Sequence, residues 1–398
     1  MTNWPTLDHR NRALRRGIRT LWVALALAGC GGGVDSGGTG SSTFASGTIT
    51  GFGSVIVNGV HFDDGHASVT DADGTPRSRD DLRLGMTTEI RGSAIGTDAT
   101  GTVVSTASSI AFGSGLLGLI ASIDLTAGQL VVLGQTVDIN TSTVFDDTSV
   151  SGGLPSLAIG DVVEVYALFD AATGHYTATR IERRTGVVAT FVLRGVVSQF
   201  DATGKAFNIG SERISYAAFG GALPATLANG SMVRVHLRVA QIAGVWQVSA
   251  LSDGVQRPMD QDDVRLEGLV SAFVSAAQFS VNGVAVDASA LNPAGVALGV
   301  RVEVEGTARA GVLVASKVEV KTAGDVAGED FELRGPISSP DATAHSFVLR
   351  GVTVVYSTTT TEFRDGTAAG LIAGASIEAR GRLSADGTQL VATRITFR

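Results

Sequence analysis

The densest group of side chains able to do chemistry in this sequence is His61, Asp63, Asp64 and His66. Imidazole and carboxylate groups at such short spacing are ligand types that zinc and other transition metals take. The same stretch also reads as the end of a hairpin strand followed by Asp-Asp-Gly, which is ordinary turn chemistry, and that reading is favoured. Asp71-Ala-Asp-Gly74 has the start of a calcium loop without its later ligands or closing glutamate, so it too reads as a turn. Gly53-Ser54 and Gly113-Ser-Gly115 do not form the Gly-x-Ser-x-Gly elbow between strand and helix that an esterase nucleophile needs. No catalytic residue, metal ligand or cofactor is expected. Trp246 and Tyr176 lie in strands that would close barrels, and each offers an aromatic face on which a sugar ring could stack. Their alternative role is a core or inter-repeat contact, and the aromatics do not recur in register along the chain. The remaining charged stretches, Arg180 with Glu182 to Arg184 and Asp260-Gln-Asp-Asp263, read as a solvated strand end and a solvated linker.

One thiol is present in the whole chain, Cys30. It excludes an intrachain disulfide and thiolate metal clusters. Residues 1–19 carry five arginines, and an apolar run from Leu21 to Ala28 follows. That run is far shorter than the roughly 20 residues needed to span a bilayer. A basic segment ahead of a short apolar one is the pattern of a secretory signal over residues 1–29. It ends in Leu27-Ala28-Gly29-Cys30, which looks like the bacterial lipobox, where cleavage precedes the cysteine and the cysteine is lipidated. Each acyl CH₂ buried contributes about 0.8 kcal/mol, and stable anchoring takes more than one chain. The resemblance implies a diacylglyceryl group and an N-acyl chain on Cys30. Gly31 follows, where lipoproteins retained at the inner membrane usually have aspartate, so the expected location is the outer membrane. Residues 30–46 are rich in glycine and serine and are expected to act as a flexible tether.

Composition narrows the class of the rest. Glycine supplies 51 of 398 residues, well above the usual share of about 7%. Proline is only 8 and charged residues are 17%. This mixture suits short strands joined by glycine turns, and no long amphipathic helix pattern follows the signal. The net charge is −8; without residues 1–29 there remain 25 basic and 37 acidic residues, a balance of −12. An acidic exported body is a poor partner for nucleic acid, which needs a basic surface.

The elements that must position any site come from one repeated pattern. Val296-Ala-Leu-Gly-Val-Arg-Val-Glu-Val-Glu-Gly306 has an apolar residue, two spacers, a glycine, then apolar residues at every second position. It recurs at Leu82–Gly92, Leu157–Ala167, Leu227–Leu237 and Leu371–Gly381, with its glycine at Gly85, Gly160, Gly230, Gly299 and Gly374. Period two means a strand with one buried face, and the glycine marks a tight turn entering it. Glu89, Glu164, Arg234, Glu303 and Glu378 fall on the other face, where a charge suits water. Asn58-Gly59 and Asn282-Gly283 are strong hairpin signals.

Five copies follow, at residues 47–112, 116–183, 191–253, 264–321 and 331–398. About five short strands per copy fit a small closed barrel of the OB type. The fold class expected is all-β, a tandem array of five such barrels. Uneven linkers suggest beads on a string; a five-bladed propeller is the runner-up, and a transmembrane barrel is disfavoured by an aromatic content of 6%.

These repeats resemble a family of bacterial exported proteins, the domain of unknown function 5666. The features that match are the opening Gly-x-Ile/Val, the Val55–Gly59 and Phe279–Gly283 hairpins, the Leu-x-x-Gly-x-x-Val-x-Val strand and the closing Ala-Thr-x-Ile. The third copy departs most. The resemblance implies an OB-like barrel and an envelope location, and it carries no activity. The expected role is therefore a non-enzymatic spacer or binding module of the cell envelope, held to the membrane through Cys30, with an envelope protein or glycan as partner. An oligosaccharide-binding lipoprotein is the alternative, and it requires Trp246 or Tyr176 to be exposed in a groove. An enzyme would require acids or histidines gathered from two repeats in one pocket.

Overall fold

The computed structural model describes residues 42–322 and 330–398. The signal, the lipobox Leu27 to Cys30 and most of the tether lie outside the described residues. The described chain is built of strands, with only three short 3₁₀ turns.

Each of the five copies closes on itself. In repeat four the opening strand Gln261–Ser275 pairs with Gln278–Val281, which pairs with Val284–Asp287. That third strand runs parallel to the closing strand Val312–Val320. The closing strand pairs with the glycine-motif strand Arg301–Arg309, which returns to the opening strand. The ring order is thus first, second, third, fifth, fourth and back to first. The same ring of pairings forms in repeats one, two, three and five. This is the small closed barrel expected, and closure removes free edges.

Local sequence explains the ring. The five motif glycines all have φ between 78° and 92°, a region that costs a side chain and that glycine takes freely. Asn58 and Gly59 have φ of 52° and 69°, and Asn282 and Gly283 of 50° and 89°, as a two-residue hairpin turn demands. The asparagine does more than turn. Asn282 Nδ2 donates to the Glu267 carbonyl at 3.0 Å and Oδ1 accepts from the Leu269 amide at 3.3 Å. The space for it is the missing side chain of Gly268, where a Cβ would lie 2.0 Å from Nδ2. A bulge recurs at the same step of all five glycine-motif strands, at Arg91/Gly92, Tyr166/Ala167, His236/Leu237, Glu305/Gly306 and Arg380/Gly381. Such a bulge adds the local twist that a strand needs to bend around a small barrel.

The beads expected from the linkers are not what forms. Residues Thr43 to Ser46 run parallel to Asp263–Leu266 of repeat four, and Gly51-Phe52 run parallel to Glu332-Leu333 of repeat five. Leu116-Leu117 of repeat two pair with Val192-Leu193 of repeat three. Repeats one, four and five thereby share one sheet, and repeats two and three another. Phe145 of repeat two donates its amide to the Gly387 carbonyl of repeat five at 2.8 Å. The cores fuse accordingly: one apolar cluster spans repeats one and five with Val144 and Tyr166 of repeat two, and a second spans repeats two and three.

Two boundaries move as a result. The tether drawn to residue 46 ends by residue 42, because Thr43–Phe52 is one strand with Phe44 and Ala45 buried. Asp260-Gln-Asp-Asp263 is not a free linker. Asp260 accepts from the Ala310 amide, Asp262 pairs with Arg309 at 2.9 Å, and Asp263 already sits in the strand ladder.

Candidate functional site

The two aromatic candidates are inside. Tyr176 is 1% exposed; its ring lies 5.1 Å from Phe169, and its hydroxyl donates to the Arg194 carbonyl of repeat three at 2.7 Å. Burial pushes its phenol well above the ordinary range. Trp246 is 9% exposed, meets Phe191 edge-on and donates Nε1–H to Glu212 at 2.7 Å. Neither offers a face to a sugar, so the platform expectation is corrected: both are core and inter-strand contacts.

The polar motifs resolve as turns and clasps. Asp63 accepts from the Gly65 amide, and Asp71 accepts from the amides of Asp73 and Thr75. Among the described residues no group of three or more His, Cys, Asp or Glu is placed to hold a metal. The tip of the Asp71–Gly74 turn reaches repeat three. There Asp73 accepts from Arg234 Nε at 3.0 Å and lies 2.9 Å from His236 Nε2. The bond to His236 and the two from Arg234 outweigh burial and hold Asp73 well below the usual carboxylate range. Arg180, expected in water, is 3% exposed. It donates to Glu182 at 2.6 Å, to Asp146 at 2.7 Å and to the Leu84 carbonyl of repeat one at 3.2 Å.

The same correction applies to the charged face of the repeated strand. Arg234 and Glu378 are buried, and Glu89 lies between repeats. Alternation separates the two faces of each strand, but the outward charge is covered by a neighbouring barrel at Arg234 and by arginines of its own repeat at Glu378.

Two spaces form where those faces meet. The first is a cavity of about 110 Å³ at the junction of repeats one to four, lined by Glu89, Arg194, Arg234, Asp253 and Asn282 among others. Such a volume has room for several waters. Arg194 Nε donates to the Gly254 carbonyl at 2.6 Å, and Arg234 Nη1 to the Ser114 carbonyl at 2.6 Å. Glu89 Oε2 is covered and has no hydrogen-bond partner within the protein. Burial pushes its carboxyl up to about 7 against the pull of Arg194 and Arg91.

The second is a cleft of about 590 Å³ between repeats one and five. Its repeat-five side is formed by Arg334 on the opening strand, Arg380 on the glycine-motif strand and Arg398 just past the end of the closing strand. Beneath them lie Glu378 and Glu332, whose side chains are 4% and 11% exposed, against 40–49% for the three arginines. Glu378 pairs with Arg334, Arg380 and Arg398, and Glu332 with Arg380 and Arg334. Burial pushes Glu378 up, but its bonds to Arg398 and Arg334 win and bring it down to about 2. The repeat-one side presents Ser54, His61, Ser93, Thr100, Thr102, Ser105 and Thr106 together with Asp63 and Asp98. His61 Nδ1 lies 3.3 Å from Ser54 Oγ. Burial lowers its imidazole below the ordinary range, with Glu332 opposing and Arg334 and Arg380 adding.

Sequence reasoning misses the arginines as a group because they lie up to 64 residues apart, on two strands and at the end of a third. Their signal is the outward alternation Glu332-x-Arg334 and Glu378-x-Arg380, with Arg398 directly after the paired closing strand.

Residues 118–182, 267–319 and 334–396 match the family described as a domain of unknown function, DUF5666. These segments are the barrels of repeats two, four and five. No curated protein matches the chain.

Proposed function

The chain being a repeat protein of DUF5666 domains, we propose that it is a non-enzymatic, lipid-anchored binding module of the bacterial cell envelope. The observation that carries this reading is the fusion of the barrels through shared strands and buried charge clasps into one body that begins at Thr43. Cys30 lies 13 residues before that strand. Such a length spans at most about 45 Å when fully extended. A lipid on Cys30 would therefore hold a preformed surface close to the bilayer, and the outer membrane is the location proposed. The body offers fixed grooves between barrels to an envelope protein or glycan, and its acidic balance disfavours nucleic acid.

A binding role fits the cleft between repeats one and five better than turnover does. Of its acids, Asp63 and Asp98 of repeat one are engaged in their own turns, and Glu332 and Glu378 of repeat five are held in ion pairs by the arginines above them. Repeat five contributes guanidinium groups, which bind and orient but do not exchange protons near neutral pH.

The test is metabolic labelling of the full chain with a palmitate analogue in a bacterial host, followed by membrane fractionation. Label and membrane association are expected for the wild type, and both are lost in Cys30→Ser. A wild-type chain that is exported, unlabelled and free of membranes overturns the proposal.

A further inference from the structure

We infer that the cleft between repeats one and five binds a carboxylate-bearing sugar. This rests on reading the protein as a binding module and names the class of ligand. The argument begins with charge. At equivalent outward positions repeat four carries Arg265, Arg301, Lys317 and Lys321 against Glu267, Glu303, Glu305 and Glu319, an even balance consumed in ion pairs. Repeat five carries Arg334, Arg380, Arg394 and Arg398 against Glu332 and Glu378 alone. The surplus on repeat five is cationic, and it faces Asp63 and Asp98 across the cleft, so the positive charge is concentrated on one wall.

Three of those four guanidinium groups line the cleft. The buried carboxylates underneath hold them in place, so little side-chain freedom remains to be lost when an anion arrives. Each stays 40–49% exposed, leaving N–H groups free to face outward. A planar fork of donors matches a carboxylate with two parallel bonds.

The opposite wall defines the rest of the ligand. Ser54, Ser93, Thr100, Thr102, Ser105 and Thr106 present hydroxyls, each able to donate and accept. No phenylalanine, tyrosine or tryptophan lines the cleft. Several of the hydroxyls pair within the wall, Ser54 with His61, Ser93 with Ser105 and Thr100 with Asp98 and Thr102, and each oxygen keeps a further acceptor site, so the wall suits a polyhydroxylated body better than an apolar one. Asp63 and Asp98 on that wall each use Oδ1 for their own turns, leaving Oδ2 to accept from a ligand hydroxyl. A sugar ring with a carboxylate directed at the arginines and hydroxyls at repeat one satisfies both sides.

The experiment uses the full-length protein in detergent on a glycan array. The array carries uronic- and sialic-acid glycans, their carboxyl-reduced counterparts, and sulfated and phosphorylated glycans. Retention is expected on carboxylate-bearing spots, with at least about tenfold less on the reduced ones. Arg398→Gln is expected to lower retention at least about tenfold at an unchanged melting temperature, because Glu378 keeps Arg334 and Arg380. Ser54→Ala, which leaves the arginines in place, weakens it several-fold. Lys321→Gln on repeat four leaves it unchanged. The inference is overturned if no acidic spot is retained, if reduced glycans bind as well, or if both cleft variants bind like the wild type. Preferential retention on sulfated or phosphorylated spots also overturns it, since that describes a bare anion seat. Loss of palmitate labelling would leave the array result standing, so the two failures are separable.

Discussion

Glu89 gives the sharpest test of how the barrels are joined. Its carboxyl faces the internal cavity, Oε2 has no partner, and burial raises it from 4.5 to about 7. Below about pH 4.5 both the folded and unfolded states hold the proton, and the burial costs little. Between there and pH 7 the unfolded chain releases its proton while the folded one keeps it, so stability falls as pH rises. Above pH 7 the full cost is present, about 3 kcal/mol for a displacement of this size. Glu89→Gln is neutral at every pH. Urea unfolding of wild type and variant at a series of pH values reads the difference, and other titrating groups cancel in it. The variant is expected to match the wild type near pH 4.5 and to exceed it by up to about 3 kcal/mol at pH 8. A difference that stays flat across this range would refute the reasoning. It would mean that Arg194 neutralises the carboxylate in place and that the cavity is no barrier to charge.

Arg180→Leu leaves Asp146 and Glu182 without their shared cation between repeats one and two. A loss of about 3–5 kcal/mol in urea unfolding is expected, and a near-neutral result would show the pair to be solvated. Gly268→Ala forces Asn282 out of its seat and costs about 1–3 kcal/mol; the cost shrinks in an Asn282→Ala background, and strict additivity would sink the coupling. Asp73→Asn loosens the clasp on Arg234 and His236. Because the Asp73 carboxyl is depressed in the fold, its contribution is present above the unfolded value near 4 and lost as pH falls. Melting curves should therefore separate the variant from the wild type at pH 7 and converge in acid; separation that persists at low pH would assign the effect to packing.

Repetition made the barrels legible. Period-two valines such as Val300, Val302 and Val304, a glycine at φ of 78° and the Asn282-Gly283 turn are local signals, and the local geometry follows them. What covers the outer faces was not legible. Alternation separates two faces of a strand but does not say whether the polar one meets water or another barrel, so it points Arg180 and Arg234 to solvent while the fold buries both. The contacts that decide the matter join distant residues: Asn58 donates to Arg265, 207 positions away, and Arg234 to Asp73, 161 away. Trp246 and Tyr176 failed as platforms for the same reason. A strand position gives side-chain direction relative to its own barrel, while burial here comes from neighbours. Phe44 and Ala45 were hidden by composition, since four strand residues at the end of a glycine- and serine-rich run do not alter its average.

The shared opening strand has a consequence for how the chain is made. Residues Thr43 to Phe52 are synthesised before every other strand of the described barrels, yet their lateral neighbours are Asp263–Leu266 and Glu332-Leu333. The first barrel therefore cannot settle against its final neighbours until the last two have been delivered. A chain interrupted before repeat five leaves the Gly51-Phe52 segment unmatched and the apolar cluster common to repeats one and five half-built. Incomplete copies would display that gap to proteases, so assembly of the earliest segment doubles as a check that the latest has arrived.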